Sequence, residues 1–197
     1  MPEEIAVSSP RRQAILDAAA AVFAEKGFHG TGMRDIADRL GMKAGSLYFH
    51  LASKDAALEE VCAAGMHSAI RAAEQGFAAG PGLSERIRAM AEAQVELLAA
   101  HGDYISVFVH ERRQLSEPAQ QRLVEVSQKH RQMLDRIFDE ARERGELAVG
   151  LSPRSARYAM VGVLRNLTQL YVEGPVRDFP EVARQIIDIF LDGAQAR

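Results

Sequence analysis

The chain has 197 residues, 47% hydrophobic and 26% charged, with a formal net charge of −3 and one cysteine. This balance is that of a folded globular chain and excludes a disordered one. A lone cysteine excludes an internal disulfide framework and suits a reducing cytoplasm. The opening MPEEIAVSSP is acidic and has no basic-then-apolar leader pattern, so no secretory leader is expected. No uncharged apolar run approaches the ~20 residues that cross a bilayer. The best candidate, YAMVGVL at 158–164, stops at Arg165, so a cytoplasmic protein without membrane association is expected.

In chain order the signals are helical throughout, and no segment alternates β-branched residues with period two. Ser9-Pro10 offers an N-cap with proline at the first helical position. Ile15, Ala18, Ala19, Val22 and Phe23 then form one apolar stripe that ends at Gly27. A short second helix carries Met33, Ile36, Ala37 and Leu40 to Gly41, and a third covers roughly 44–51 with Leu47 and Leu51 four apart. Ser53 caps a long fourth helix running to about 79, with Asp55 in its first turn, before Gly80-Pro81-Gly82 breaks it. Five more helices are predicted at about 83–101, 104–115, 118–145, 153–172 and 179–194, the last opened by an Asp178/Glu181 capping box. The expected architecture is all-α with nine helices: a three-helix head over 9–52 and a six-helix body over 53–197.

Two short helices joined by a glycine turn, the second too polar for a core, describe a helix-turn-helix. From Pro10 to Lys54 there are seven basic residues (Arg11, Arg12, Lys26, Arg34, Arg39, Lys43, Lys54) and four acidic ones, a net +3 that leaves −6 for the rest. A basic head on an acidic body fits a DNA reader. Met33, Ile36, Ala37 and Leu40 would pack inward against Leu47 and Leu51, leaving the other face of the second helix for a major groove. There Gly45 permits close approach, Tyr48 offers a hydroxyl and a ring, and His50, Lys43 and Lys54 are phosphate-contact types.

Residues 11–62 resemble the DNA-binding head of the tetracycline-repressor (TetR) family. The matching positions are Ile15-Leu16-xx-Ala19, Phe23, Gly27-Phe28, Thr31, Asp35-Ile36-Ala37, Gly41, Gly45-x-Leu47-Tyr48-x-His50 and Ser53-Lys54-Asp55-xx-Leu58. The resemblance implies DNA contacts from Thr31, Lys43, Ala44, Gly45, Tyr48, His50 and Lys54. Three positions depart from the family pattern: Gly32 where Ser or Thr is common, Phe49 where a polar residue is frequent, and Leu51 in place of phenylalanine.

One head reads only a few base pairs, so two heads about 34 Å apart on a double-stranded, palindromic operator are the geometric solution. The resemblance implies a homodimer through the last two helices, about 153–194. Their apolar set (Met160, Val163, Leu164, Leu167, Leu170, Ile186, Ile187, Ile189, Phe190) exceeds what one intramolecular face needs. It also implies a small-molecule effector held by helices four to eight, with the fourth helix, roughly 39 Å at its ~26 residues, as the link to the head. Candidate ligand contacts are Phe108 and Arg112, and Arg165, Asn166 and Gln169 on an otherwise apolar helix; a salt bridge at the dimer seam or a solvated face is the competing reading. The stretch GVLRNLTQLYVEGP (162–175) is similar to the corresponding segment of acyl-CoA-responsive members, which points to a hydrophobic or acyl-CoA-like effector.

Other classes leave weaker traces. His110-Glu111-Arg112-Arg113-Gln114 lacks the second histidine of a zinc protease. Gly30-Thr31-Gly32 has no preceding strand and Asp35 where a dinucleotide loop needs glycine, and no nucleophile elbow occurs. Cys62 reads as a packing residue, and His67, His101, His110 and His130 lack ligand spacing. No enzyme, metal or cofactor is expected. The sequence points to a ligand-responsive repressor, with a division or chromosome-organisation factor of the same fold as the alternative.

Overall fold

The computed structural model describes residues 9–174 and 176–195. Among the described residues eight α-helices follow one another: α1 (Pro10–Gly30), α2 (Met33–Arg39), α3 (Ala44–Leu47), α4 (Lys54–Ala78), α5 (Leu83–Glu111), α6 (Glu117–Glu143), α7 (Pro153–Glu173) and α8 (Phe179–Ala194). A 3₁₀ turn at Arg112–Gln114 joins α5 to α6. Among the described residues there is no strand, only an isolated bridge between Leu147 and Gln195, and no helix is long and apolar enough to cross a membrane. The all-α class is as expected, with eight α-helices in place of nine. The fifth and sixth expected helices are one element, bent at His101 (φ −135°, ψ 32°) without ending there.

The capping chemistry explains most boundaries. The Ser9 hydroxyl accepts from the Arg12 amide, Ser53 from the Ala56 amide at 3.1 Å, and Ser152 from the Ser155 amide at 3.0 Å. Each satisfies an amide that the first helical turn leaves without a partner. Gly27 does break α1, at φ +70°, but the chain resumes for one more turn. That turn buries Phe28 against Phe23, ring centroids 5.9 Å apart. The expected capping box at Asp178 does not form. Asp178 is left-handed (φ 56°) and caps nothing, and Glu181 pairs instead with Arg184 at 2.6 Å.

The chain divides into two compact units. Residues up to Met66 with Asp103–Leu123 form the first, and His67–Gly102 with Val124 onward the second. The core of the first is Ile15, Phe23, Ile36, Leu47, Leu51 and Leu58, joined by Tyr104 and Val107 of α5. The Tyr104 hydroxyl is buried with them and donates to the Asp17 carboxylate at 2.7 Å. At Gly65, α4 lies so close to α5 that a Cβ would sit 2.8 Å from the Tyr104 carbonyl oxygen and 2.9 Å from the Phe108 Cβ. The second unit is built on Leu83, Ile87, Met90, Leu98, Leu134, Ile137 and Phe138. Arg86, buried there, is compensated by Glu140 at 2.7 Å, the Gly80 carbonyl at 2.6 Å and the Phe77 ring at 4.5 Å, as a buried guanidinium requires.

Candidate nucleic-acid interface

The site begins with the fixing of α2. Asp35 accepts from the Gly32 amide at 2.7 Å and pairs with Lys26 at 2.6 Å. The Lys26 hydrogen bond, then the Gly32 N–H, hold its carboxyl below the usual aspartate range. Ile36 and Ala37 face the core, and the chain reverses at Gly41, where φ is +62°. Glycine occupies that left-handed conformation without strain. The Met42 amide returns to the Ala37 carbonyl at 3.0 Å, closing α2.

Only Ala44–Leu47 is regular α-helix, shorter than the expected 44–51. The segment continues as a turn in which the amides of His50 and Leu51 both donate to the Leu47 carbonyl at 2.9 Å. Leu47 and Leu51 anchor it at 0% and 1% exposure. Tyr48 and Phe49 then point outward, 55% and 90% exposed. Lys43 and Gly45 are exposed, and Ala44 and His50 half-buried. A methyl at Gly45 would meet nothing within 4 Å, so packing does not demand glycine there.

Two of the expected DNA-contacting residues are tied into the protein. Thr31 is 3% exposed, its hydroxyl 2.8 Å from the Gly27 carbonyl it donates to and its amide bonded to Phe28. This places it in the support of α2. Lys54 donates to the Phe28 carbonyl at 2.9 Å and lies 4.3 Å over the Phe28 ring. Lys43, Ala44, Gly45, Tyr48 and His50 are left together on one exposed segment.

The basic surplus of the head resolves in the same direction. Of its seven cations, Arg12 pairs with Glu60, Lys26 with Asp35, Arg34 with Asp38 and Arg39 with Glu25. Among the described residues, Arg11, Lys43 and Lys54 form no ion pair; Lys43 and Lys54 lie on the segment 42–54, and Arg11 reaches its Met42 sulfur at 3.7 Å. Composition could not make this separation, because it counts charges without their partners. Arg12 and its contact with the His50 carbonyl were missed for that reason.

The candidate ligand contacts fall in different units. Phe108 and Arg112 are in the first, the Arg112 guanidinium donating to the carbonyls of Phe108 and Val109 and lying 5.3 Å from the Phe108 ring. Arg165 and Asn166 are exposed on α7, and Gln169 donates to Glu173 at 2.6 Å. Cys62 is buried, and desolvation pushes its thiol up to about 12, which removes it as a reactive thiolate.

Residues 15–61 match the family described as "Bacterial regulatory proteins, tetR family", and residues 80–194 match the "Tetracyclin repressor-like, C-terminal domain". The chain belongs to the TetR family. It is a DNA-binding transcriptional regulator, and the resemblance read from residues 11–62 is borne out.

TetR-type relatives align over most of its length. The "Fatty acid metabolism regulator protein" of Bacillus subtilis is 24% identical over 185 residues, covering 93% of this chain and 95% of the relative. The "HTH-type transcriptional repressor KstR2" of Rhodococcus jostii is 29% identical over 193 residues, covering 94% and 91%. The "HTH-type transcriptional activator FasR" of Mycolicibacterium smegmatis is 30% identical over 159 residues, covering 75% and 71%. Among solved structures, the ketosteroid transcriptional regulator KstR2 of Mycobacterium tuberculosis superposes with a TM-score of 0.81 at 26% identity, covering 96% of this chain and 97% of that one. These TetR relatives are named as regulators and not as enzymes, and they do not favour the division or chromosome-organisation alternative.

Proposed function

We propose that this regulator represses its target genes as a homodimer on a palindromic operator and is released by a small hydrophobic or acyl-CoA-like effector. Residues 9–52 read DNA, and residues 53–197 hold the effector and the dimer contact. The observation that carries the DNA-reading part is the segment 43–50, anchored through Leu47 and Leu51 while Tyr48 and Phe49 stand out from it. Lys43, Ala44, Gly45, Tyr48 and His50 form the contact surface, with Phe49 added to them. Lys54 adjoins it through its remaining ammonium donors, and Thr31 supports α2 from within. Such a regulator works in the cytoplasm, where its operator is.

For the dimer, α7 and α8 pack on each other and bury Met160, Leu167 and Ile187. Val163, Leu164, Leu170, Ile186 and Phe190 stay partly exposed, and Ile189 is 73% exposed. An apolar set left uncovered on two adjacent helices supports a partner surface. For the effector, the support is the naming of relatives for fatty-acid and ketosteroid regulation. KstR2 is named a repressor and FasR an activator, and repression is the reading we adopt.

The test is a mobility shift on duplex DNA flanking the protein's own gene, with long-chain acyl-CoAs titrated in. Wild type should shift the duplex, Tyr48→Ala should weaken the shift on the order of tenfold or more, and an acyl-CoA should release it. An acyl-CoA that binds the folded protein at about 100 times its Kd should also stabilise it by about 2.7 kcal/mol, raising the melting midpoint. An undiminished shift with Tyr48→Ala refutes the assigned surface. Unchanged melting across the acyl-CoA series refutes the effector class.

A further inference from the structure

Arg11 and Arg12 follow each other in the first turns of α1, and by charge both belong on the surface that meets phosphate. Their side chains do different things. The Arg12 Nη1 donates to the His50 carbonyl at 2.8 Å. Its Nη2 lies 2.6 and 2.7 Å from the two carboxylate oxygens of Glu60 on α4. One guanidinium therefore joins three elements: α1, which carries it, the turn that follows α3, and α4.

We propose that Arg12 and Glu60 are a positioning pair that sets the angle of the DNA-reading segment, and that Arg12 does not contact phosphate. The carbonyl at His50 closes a short helical segment whose last carbonyls lack a donor within the helix. Arg12 supplies one, charge-assisted and therefore strong. Glu60 holds the guanidinium in place, and moving Arg12 to a phosphate would strand a carboxylate that is itself only partly exposed. A carboxylate opposes DNA approach by charge alone, so its use here is as an anchor. Beyond the same end of the segment, Lys54 at the start of α4 is tied in a similar manner, on the Phe28 carbonyl and ring. A four-residue helix cannot hold its own direction, and these ties supply what its length does not. The inference rests on segment 43–50 being the DNA reader.

Charge and positioning predict opposite signs, which makes Glu60→Gln the decisive variant. Let wild-type protein select a duplex from a randomised pool, then measure affinity for it and for a random-sequence duplex of equal length across a salt series. Positioning predicts that Glu60→Gln binds the selected duplex on the order of tenfold more weakly, the scale of one charge-assisted hydrogen bond. Binding to the random duplex should be unchanged or tighter, so the specificity ratio falls. Arg12→Gln should lower the ratio in the same way with its salt slope unchanged, and the double variant should be no worse than either single one. All measurements are made well below each variant's melting midpoint, with helical content checked. A variant that is only less stable keeps the wild-type ratio there, and that result overturns the proposal. So does a Glu60→Gln protein that holds the selected duplex as tightly as wild type or tighter. An Arg12→Gln protein that loses both duplexes alike, with a salt slope smaller by about one, overturns it too, as a phosphate contact. Failure of the reading beneath is separate: Tyr48→Ala then binds the selected duplex like wild type.

Discussion

Phe49 has no hydrogen-bonding atom on its side chain and stands 90% exposed beside Tyr48. An exposed ring of that size gives the folded protein no burial energy, so on the proposed reading segment it points to a contact outside the chain. Contact with a thymine methyl or a sugar face fits an apolar side chain. Phe49→Ser should therefore leave the stability within about 0.5 kcal/mol of wild type, while weakening operator binding; a quantitative mobility shift beside a melting curve tests both halves. Single residues are also where the fold adds most to what the sequence shows. Thr31 matched a DNA-contact position, yet its hydroxyl and amide are both used inside the head. Arg12 counted toward the basic surplus, yet Glu60, six residues into α4 and outside the head, takes its charge. Neither outcome is visible in a residue's type, because each depends on a partner that the fold brings from elsewhere.

Most helix boundaries were legible because their signals are local. Ser9-Pro10 and Ser53 cap where expected, α7 begins at the expected residue, and α8 begins and ends at the expected residues. The failures share a cause. Asp178 and Glu181 have capping-box spacing, but Arg184 lies three residues beyond Glu181 and competes for its carboxylate. His101-Gly102 reads as a break, but one non-helical residue bends α5 without stopping it. The close passage of α4 on α5 left no trace in the pattern, since Gly65 in an alanine-rich helix looks like composition. The passage has a measurable sign. Gly65→Ala gains about 1 kcal/mol of helix propensity, but its methyl would lie 2.8 Å from the Tyr104 carbonyl oxygen. Overpacking of that kind costs about 1–3 kcal/mol, so the net change should be destabilising and should lower the urea midpoint. Gly45→Ala, with nothing within 4 Å, should hold or raise that midpoint. Equal midpoints for the two variants would refute the close contact.

Across the whole molecule, acid should act in two steps. Burial holds the His130 imidazole below its ordinary 6.5. The unfolded chain then takes up that proton first, and stability falls as pH drops from about 6.5. Glu181 is held at about 2, chiefly by its hydrogen bond to Arg184. Its contribution is present above the unfolded value of 4.5 and lost as pH falls from there toward 2. Melting midpoints between pH 3 and 8 should decline in that order, and His130→Gln should remove the first decline; a variant that keeps it locates the loss elsewhere. The buried Tyr104 hydroxyl has an optical consequence. The chain contains no tryptophan and four tyrosines, Tyr48, Tyr104, Tyr158 and Tyr171, so beyond the weak phenylalanine bands its near-ultraviolet signal is tyrosine. Burial, then the hydrogen bond to Asp17, raise the Tyr104 phenol far above the usual range. Its ring therefore keeps the spectrum of the protonated phenol as the pH is raised on the native protein. With no tryptophan to mask it, Tyr48 on the proposed reading segment is an intrinsic fluorophore, and quenching of tyrosine emission on adding duplex DNA would report operator binding without a dye.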